Sequence, residues 1–254
     1  MNLTQPAWRH MMSTLMILIV FSCQSENKDQ TSVENHQNVP DWVNGMWQAH
    51  GELIDAQFEF REAIYSFSHD KNGYSYTKKV DNDSIQQLDI LTEHQFLRIV
   101  NGDTLDLTTK ESEAAAASLN SVIYFVCLPQ KLKDPAVKLK QAGTTTINEQ
   151  LYHVLHVSFR EEGGGTDFED EFLYWINKNT GMMDYFAYRY HVNGGGVRFR
   201  SAYNRRKVQE MIFQDYVNYE VPLETNLMDV PHLYEKGHLK ELSRIENKNI
   251  KYLN

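Results

Sequence analysis

Cysteine is nearly absent: the 254 residues hold only Cys23 and Cys127, so no disulfide framework and no cysteine metal site can hold this fold together. Long apolar runs are missing as well. The longest, Met11 to Phe21, is about 11 residues, whereas a helix crossing a bilayer needs about 20. Basic charge is short, with 25 Lys and Arg against 34 Asp and Glu and a net charge of −9, which disfavours nucleic acid and anionic surfaces as partners of the chain as a whole. No Gly-x-Ser-x-Gly, His-Glu-x-x-His or Cys-x-x-Cys pattern occurs, so no common hydrolase, zinc or redox motif is present. The two triple glycines, Gly163–Gly165 and Gly194–Gly196, lack the Lys-Ser/Thr and the strand-to-helix setting of a phosphate loop and read as hairpin tips. Aromatic residues are plentiful, with 14 Tyr and 12 Phe, a composition that suits strands and apolar cavities.

The short apolar run is informative by its position. Arg9 and His10 precede it, and Val20-Phe21-Ser22-Cys23 ends it, as in a secretory signal. Those four residues resemble a bacterial lipobox, which implies cleavage before Cys23 and lipid attachment to it. An ordinary secretory signal cut elsewhere and an uncleaved anchor are the alternatives. Gln24 to Pro40 is polar and unable to bury a core, so it reads as a disordered tether. Within it, Glu26-Asn27-Lys28-Asp29 loosely resembles the surface-export signal of Bacteroidota lipoproteins. The expected organisation is a signal peptide over 1–22, a lipidated cysteine and tether over 23–39, and one domain over 40–254.

Along that domain the spacing predicts a helix over Pro40 to His50, with Trp42, Met46 and Trp47 on one side and Gly51 as its C′ residue. Alternation over Gln57 to Phe67 predicts a strand, followed by a turn at Asp70–Gly73 and strands at Tyr74–Val80, Ile85–Leu91 and Gln95–Val100. Thr108 to Leu128 breaks this pattern. Thr109 can cap a helix whose alanines, Ala114 to Ala117, favour it and whose apolar second half should be buried. Leu132 to Pro135 reads as extended. A meander then runs through Thr144–Ile147, Gln150–Arg160, Asp170–Ile176, Met182–Tyr190, Val197–Asn204 and Val208–Tyr219, with a basic corner at Arg205-Arg206-Lys207. Several strands are apolar on both faces, so the Ala114–Leu128 helix is the expected cover for the second face. Leu233–Leu253 is ambiguous, with a strand expected near its end.

Several short motifs recur in order: Ala49-His50-Gly51, Leu128 to Pro135, Val157-Ser158-Phe159 before a Gly-rich loop, and Tyr174-Trp175-Ile176-Asn177 with Thr180-Gly181. With the lipobox and tether they make the chain resemble a set of uncharacterised Bacteroidota lipoproteins of the lipoprotein-localisation-factor type. The resemblance implies a mainly β (α+β) fold, a large curved antiparallel meander sheet or half-barrel with a helical lid, and a lipid or other hydrophobic small molecule as ligand. No cofactor, metal or catalysis is expected, because the residues offer no positive evidence for them. The place implied is the bacterial cell envelope, lipid-anchored, outer membrane ahead of inner, periplasmic or surface-exposed, with the membrane reached through Cys23.

Candidate ligand-pocket residues are His153, Tyr174, Trp175, Phe125, Arg189 and Arg198. His153 shares a strand face with Leu151, Leu155, Val157 and Phe159, and a few polar groups on an apolar face fix a ligand's orientation. It could equally be a core histidine, and His156, three residues on, points to the other face. Arg189, Arg198 and Arg200, on neighbouring strands, could line one face and hold an anionic head, or pair with the acidic cluster Asp167, Glu169, Asp170 and Glu171. Glu169 and Glu171 share a strand face and define the alternative of a hydrolase, which needs them to converge with a histidine in a cleft. A third reading, an interaction or scaffold lipoprotein, keeps the same sheet with a filled interior. His50, at a helix end, is expected to be favoured in its charged form. Cys127 reads as a small buried hydrophobe.

Overall fold

A computed structural model describes residues 39–71, 73–161, 169–191 and 194–253. The signal segment, Cys23, the tether and the Gly163–Gly165 loop tip lie outside them. Helix α1 spans Asp41–His50 and ends at Gly51, whose φ of 75° no side chain adopts comfortably. Its buried side, Val43, Met46, Trp47 and His50, follows the spacing seen in the sequence.

Six strands follow: β1 (Ala56–Phe60), β2 (Ala63–Asp70), β3 (Gly73–Asp81), β4 (Gln86–Thr92), β5 (Phe96–Val100) and the short β6 (Asp103–Thr104). The single strand expected over Gln57–Phe67 is a hairpin. Arg61 takes φ 50°, and Phe60 pairs with Ala63 across a two-residue turn that carries neither Gly nor Asn to announce it. The turn brings Phe58 opposite Tyr65, so both are buried on one face rather than split between two.

Helix α2 spans Thr109–Val126. Thr108, not Thr109, is the cap: its hydroxyl oxygen accepts from the Glu111 N–H while Glu111 accepts from the Thr108 N–H, a reciprocal capping box. Its second half is only partly enclosed, since Leu119 and Ile123 are buried while Val122, Phe125 and Val126 are half-buried. Leu132 to Pro135 reads as extended in the sequence, but Leu132 and Lys133 belong to a turn of 3-10 helix over Gln130–Lys133.

The second group is β7 (Val137–Ile147), β8 (Gln150–Phe159), β9 (Glu171–Asn177), β10 (Met183–Tyr190), β11 (Gly196–Val208) and β12 (Met211–Val221). Arg205-Arg206-Lys207 is not a corner but the end of β11. The reversal falls at Gln209-Glu210, where Gln209 takes φ 50°. After a 3-10 turn at Leu227–Asp229 and helix α3 (Val230–Glu235), the chain ends in β13 (Lys240–Ile245) and β14 (Lys248–Tyr252).

The half-barrel is divided into two seven-stranded antiparallel sheets, ordered β14-β1-β2-β3-β4-β5-β6 and β13-β12-β11-β10-β9-β8-β7, and it is not closed into a barrel. Consecutive strands β13 and β14 each extend one sheet, so the C-terminal hairpin is the seam between them. Helix α2 packs Leu119 and Ile123 against Phe58, Phe67 and Tyr76 of the first sheet. Helix α1 packs on the inner face of the second, against Leu155, Tyr174 and Ile176. The outer face of the second sheet is covered differently from expectation. Leu227, Val230 and Tyr234 of the C-terminal segment, not α2, bury Trp175, Phe199 and Val221 there.

Candidate functional site

Helix α2 presents Ser118, Ser121, Val122, Phe125 and Val126 along one side, at the three- and four-residue spacing of a single helix face. Opposite stand the inward residues of the second sheet: Phe172 of β9, Tyr188 and Tyr190 of β10, Arg200 of β11 and Tyr216 of β12. The space between is an open cleft of about 380 Å³, closed at its flank by Phe60, Arg61, Ile245 and Asn247. A second cleft, of about 290 Å³, lies against Tyr74, Tyr76, Tyr124 and Phe159 and shares Ser121, Phe125 and Phe172 with the first. The interior is therefore largely filled by α2, yet leaves room on both sides of Phe125. A volume near 380 Å³ sits at the small end of the range of roughly 300–1,000 Å³ seen for ligand sites.

The walls are aromatic. Phe125 stacks on Phe186 at 5.7 Å between ring centres and meets Tyr188 at 5.7 Å; Phe172 stacks on Tyr188 at 5.3 Å. Into this lining projects one buried cation. Arg200 is 8% exposed, with its guanidinium 4.2 Å from the Phe125 ring centre, 5.3 Å from Phe186 and 5.4 Å from Tyr188. Its Nη2 donates to the Tyr188 hydroxyl at 3.1 Å, while Nε–H is buried without an acceptor. Among the described residues no carboxylate pairs with it. Its neighbour Arg198 donates to the Tyr190 hydroxyl at 2.8 Å and to the Val197 carbonyl at 2.9 Å. Asp170 is the one carboxylate among the described lining residues and lies 3.5 Å from His191. Burial pushes the Tyr216 hydroxyl up to about 12, so it stays neutral and accepts from Gln214 at 2.6 Å.

The sequence candidates separate on this geometry. Phe125 lines both clefts, and Arg198 adjoins the first through Tyr190. Tyr174 faces inward but lies fully buried behind the wall, stacked between Phe172 and Phe186. His153, also inward, is stacked on Trp42 at 4.4 Å under α1, away from the cleft, and burial lowers its pKa. Trp175 points outward beneath the C-terminal segment. Arg189 is outward too. Pairing with Val197 puts it on the face opposite Arg198 and Arg200, where it donates to the Leu223 and Thr225 carbonyls at 2.6 and 2.9 Å. The three arginines therefore do not line one face.

Missed as first-rank residues were Arg200, Phe172, Tyr188 and Tyr216. Strand parity was the available signal: Arg198 and Arg200 alternate with buried Val197 and Phe199, so one of the two sets had to enter the interior.

Reaction chemistry finds no support in this arrangement. Among the described residues no histidine, lysine or cysteine lines the first cleft. Glu171 does meet a histidine, with His156 Nε2 at 3.0 Å from its carboxylate, but on the outer face in a depression holding no serine, threonine or cysteine. Glu169 is exposed. Among the described residues no group of three His, Cys, Asp or Glu could hold a metal, and no helix is long and apolar enough to cross a membrane. Cys127 is fully buried, and burial pushes its thiol far above the usual range.

The profile of a family of unknown function (DUF6503) matches residues 9–247. The chain belongs to that family. Its fold is similar to that of a LolA superfamily protein from Nitrosomonas europaea, at a TM-score of 0.51 and 7% identity over 84% of this chain and 93% of that one. An outer membrane lipoprotein-sorting protein domain from Vibrio parahaemolyticus aligns at a TM-score of 0.45 and 6% identity over 84% and 91%. Augurin from Bos taurus is 25% identical over 123 residues, 46% of this chain and 81% of that protein.

The short motifs of the sequence acquire a structural meaning here. Gln130 donates to the carbonyls of Trp47 and Gly51, Trp47 donates to the Pro129 carbonyl at 3.1 Å, and Leu128 and Leu132 pack on α1. A Cβ at Gly51 would stand 1.5 Å from the Glu210 carbonyl oxygen. Ala49-His50-Gly51 and Leu128 to Pro135 are thus the joint between α1 and the end of α2, which fixes where α2 lies over the cleft.

Proposed function

We propose that the chain is an envelope lipoprotein, tethered through Cys23, that binds one hydrophobic or amphipathic molecule non-covalently between α2 and the second sheet. The observation that carries this reading is the aromatic cleft itself: the helix that occupies the interior leaves the inner face of β9, β10 and β11 open along Phe125. Affinity comes from apolar burial, worth about 25 cal/mol per Å², so chain length matters more than the detail of the tail. The LolA superfamily neighbour supports the reading through fold alone, and the lipobox-like Val20 to Cys23 supports a place at the envelope.

A blocking substitution tests it. Ser121 lines both clefts from a half-buried helix position. Ser121→Trp should lower uptake of a fluorescent fatty acid by the full chain at least tenfold while leaving its far-UV circular dichroism unchanged. Equal uptake by both proteins would remove the cleft from the account.

A further inference from the structure

The cleft's electrostatics run against those of the chain. In a protein of net charge −9, its lining carries, among the described residues, two guanidiniums, Arg61 and Arg200, against one carboxylate, Asp170. Arg61 is exposed at the flank, over the Phe60 ring at 5.0 Å. Arg200 is the unusual one. A buried charge normally meets an opposite charge, because its hydration is lost and nothing else replaces it fully. Here three rings and one tyrosine hydroxyl surround the guanidinium, Nε–H has no acceptor, and no carboxylate among the described residues answers it. Aromatic faces stabilise a cation, yet leave its N–H donors without acceptors. The Tyr188 hydroxyl accepts from one corner of the fork and holds its plane against the cleft wall.

Resting on the cleft reading above, we propose that Arg200 receives the anionic head of the amphiphile, with the tail laid along Val122, Phe125, Phe172 and Tyr188. A planar guanidinium matches the two oxygens of a carboxylate or a phosphate, and such a head supplies the acceptors and the countercharge that the described residues do not. A fatty acid and a phosphorylated lipid share this chemistry. Asp170, beside His191 at 3.5 Å, is the only group among the described lining residues that opposes it.

Displacement of the uncharged dye Nile red from the full chain by laurate, dodecyl phosphate and dodecanol, which share one tail, decides the matter. The expected result is that one or both anions compete at least tenfold better than dodecanol. In Arg200→Met that advantage should vanish, so that the anions compete no better than dodecanol. A preference for laurate assigns a free fatty acid, and one for dodecyl phosphate a phosphorylated head. Wild-type selectivity is read without any variant, so a misfolded Arg200→Met leaves the test intact. Equal competition by all three ligands overturns the head site and leaves the cleft standing. Failure of Nile red and of every ligand to bind overturns the cleft reading as well.

Discussion

His50 shows how a residue's setting can reverse its chemistry. At the end of α1 the helix dipole favours an imidazolium, and the sequence pointed that way. The ring is instead 1% exposed: Nδ1–H donates to the Met46 carbonyl at 2.9 Å, and Nε2 accepts the Met183 N–H at 3.4 Å. The second contact requires the neutral ring, since a protonated Nε2 has no lone pair to accept with. Desolvation by burial, aided by Arg205, outweighs the Met46 hydrogen bond and Asp184 and lowers the pKa from 6.5 to about 4. The unfolded chain therefore takes up this proton first on acidification. The stability tied to neutral His50 is whole above pH 6.5 and is lost as the pH falls towards 4, by about 2 kcal/mol between pH 7 and pH 5 and roughly 3 kcal/mol in all. Burial lowers His69 in the same direction. Urea unfolding at pH 7 and pH 5 checks this: His50→Gln should flatten the difference, and an unchanged slope would show that His50 is not the group responsible.

At the scale of elements, the capping box of α2 joins local sequence to the position of the cleft wall. The Thr108–Glu111 box satisfies donors that the first turn otherwise leaves free. Thr108→Ala should destabilise the chain by about 1 kcal/mol, seen as a lower urea midpoint with the m-value unchanged. Elements were legible where turn chemistry was explicit. Asn148-Glu149 and the Asn177–Gly181 loop reverse the chain where the sequence says, and in the latter the Asn177 side chain accepts the Asn179 and Thr180 N–H groups. The turns at Arg61 and Gln209 were hidden, since both take positive φ without Gly or Asn. There, strand pairing and the burial of Phe58, Tyr65, Met211 and Phe213 outweigh local preference.

Over the whole molecule, the mainly β half-barrel was visible in the sequence because short turns force neighbouring antiparallel strands. Its division into two sheets was not, because β13 and β14 carry little periodicity and, while β13 pairs with the preceding β12, β14 pairs with β1, nearly 200 residues away. The two-faced apolar strands correctly demanded two covers, but which segment supplied each depended on tertiary packing. The same limit hid the site: Arg200 differs from Arg189 only in the register of β10 against β11. Anchoring through Cys23 lies outside the described residues and rests on the lipobox-like sequence. Cys23→Ser should move the protein from the membrane pellet to the soluble envelope fraction, and an unchanged pellet would point to another mode of attachment.

The central claim is an occupied cleft, and native mass spectrometry of the full chain, isolated from its envelope in a mild detergent, tests it most directly. The expected spectrum carries a reproducible extra mass in the range of a single lipid, released on denaturation and therefore distinct from any acyl group on Cys23. A bare protein mass that persists after incubation with laurate and dodecyl phosphate would contradict the account and leave α2 as a simple core helix.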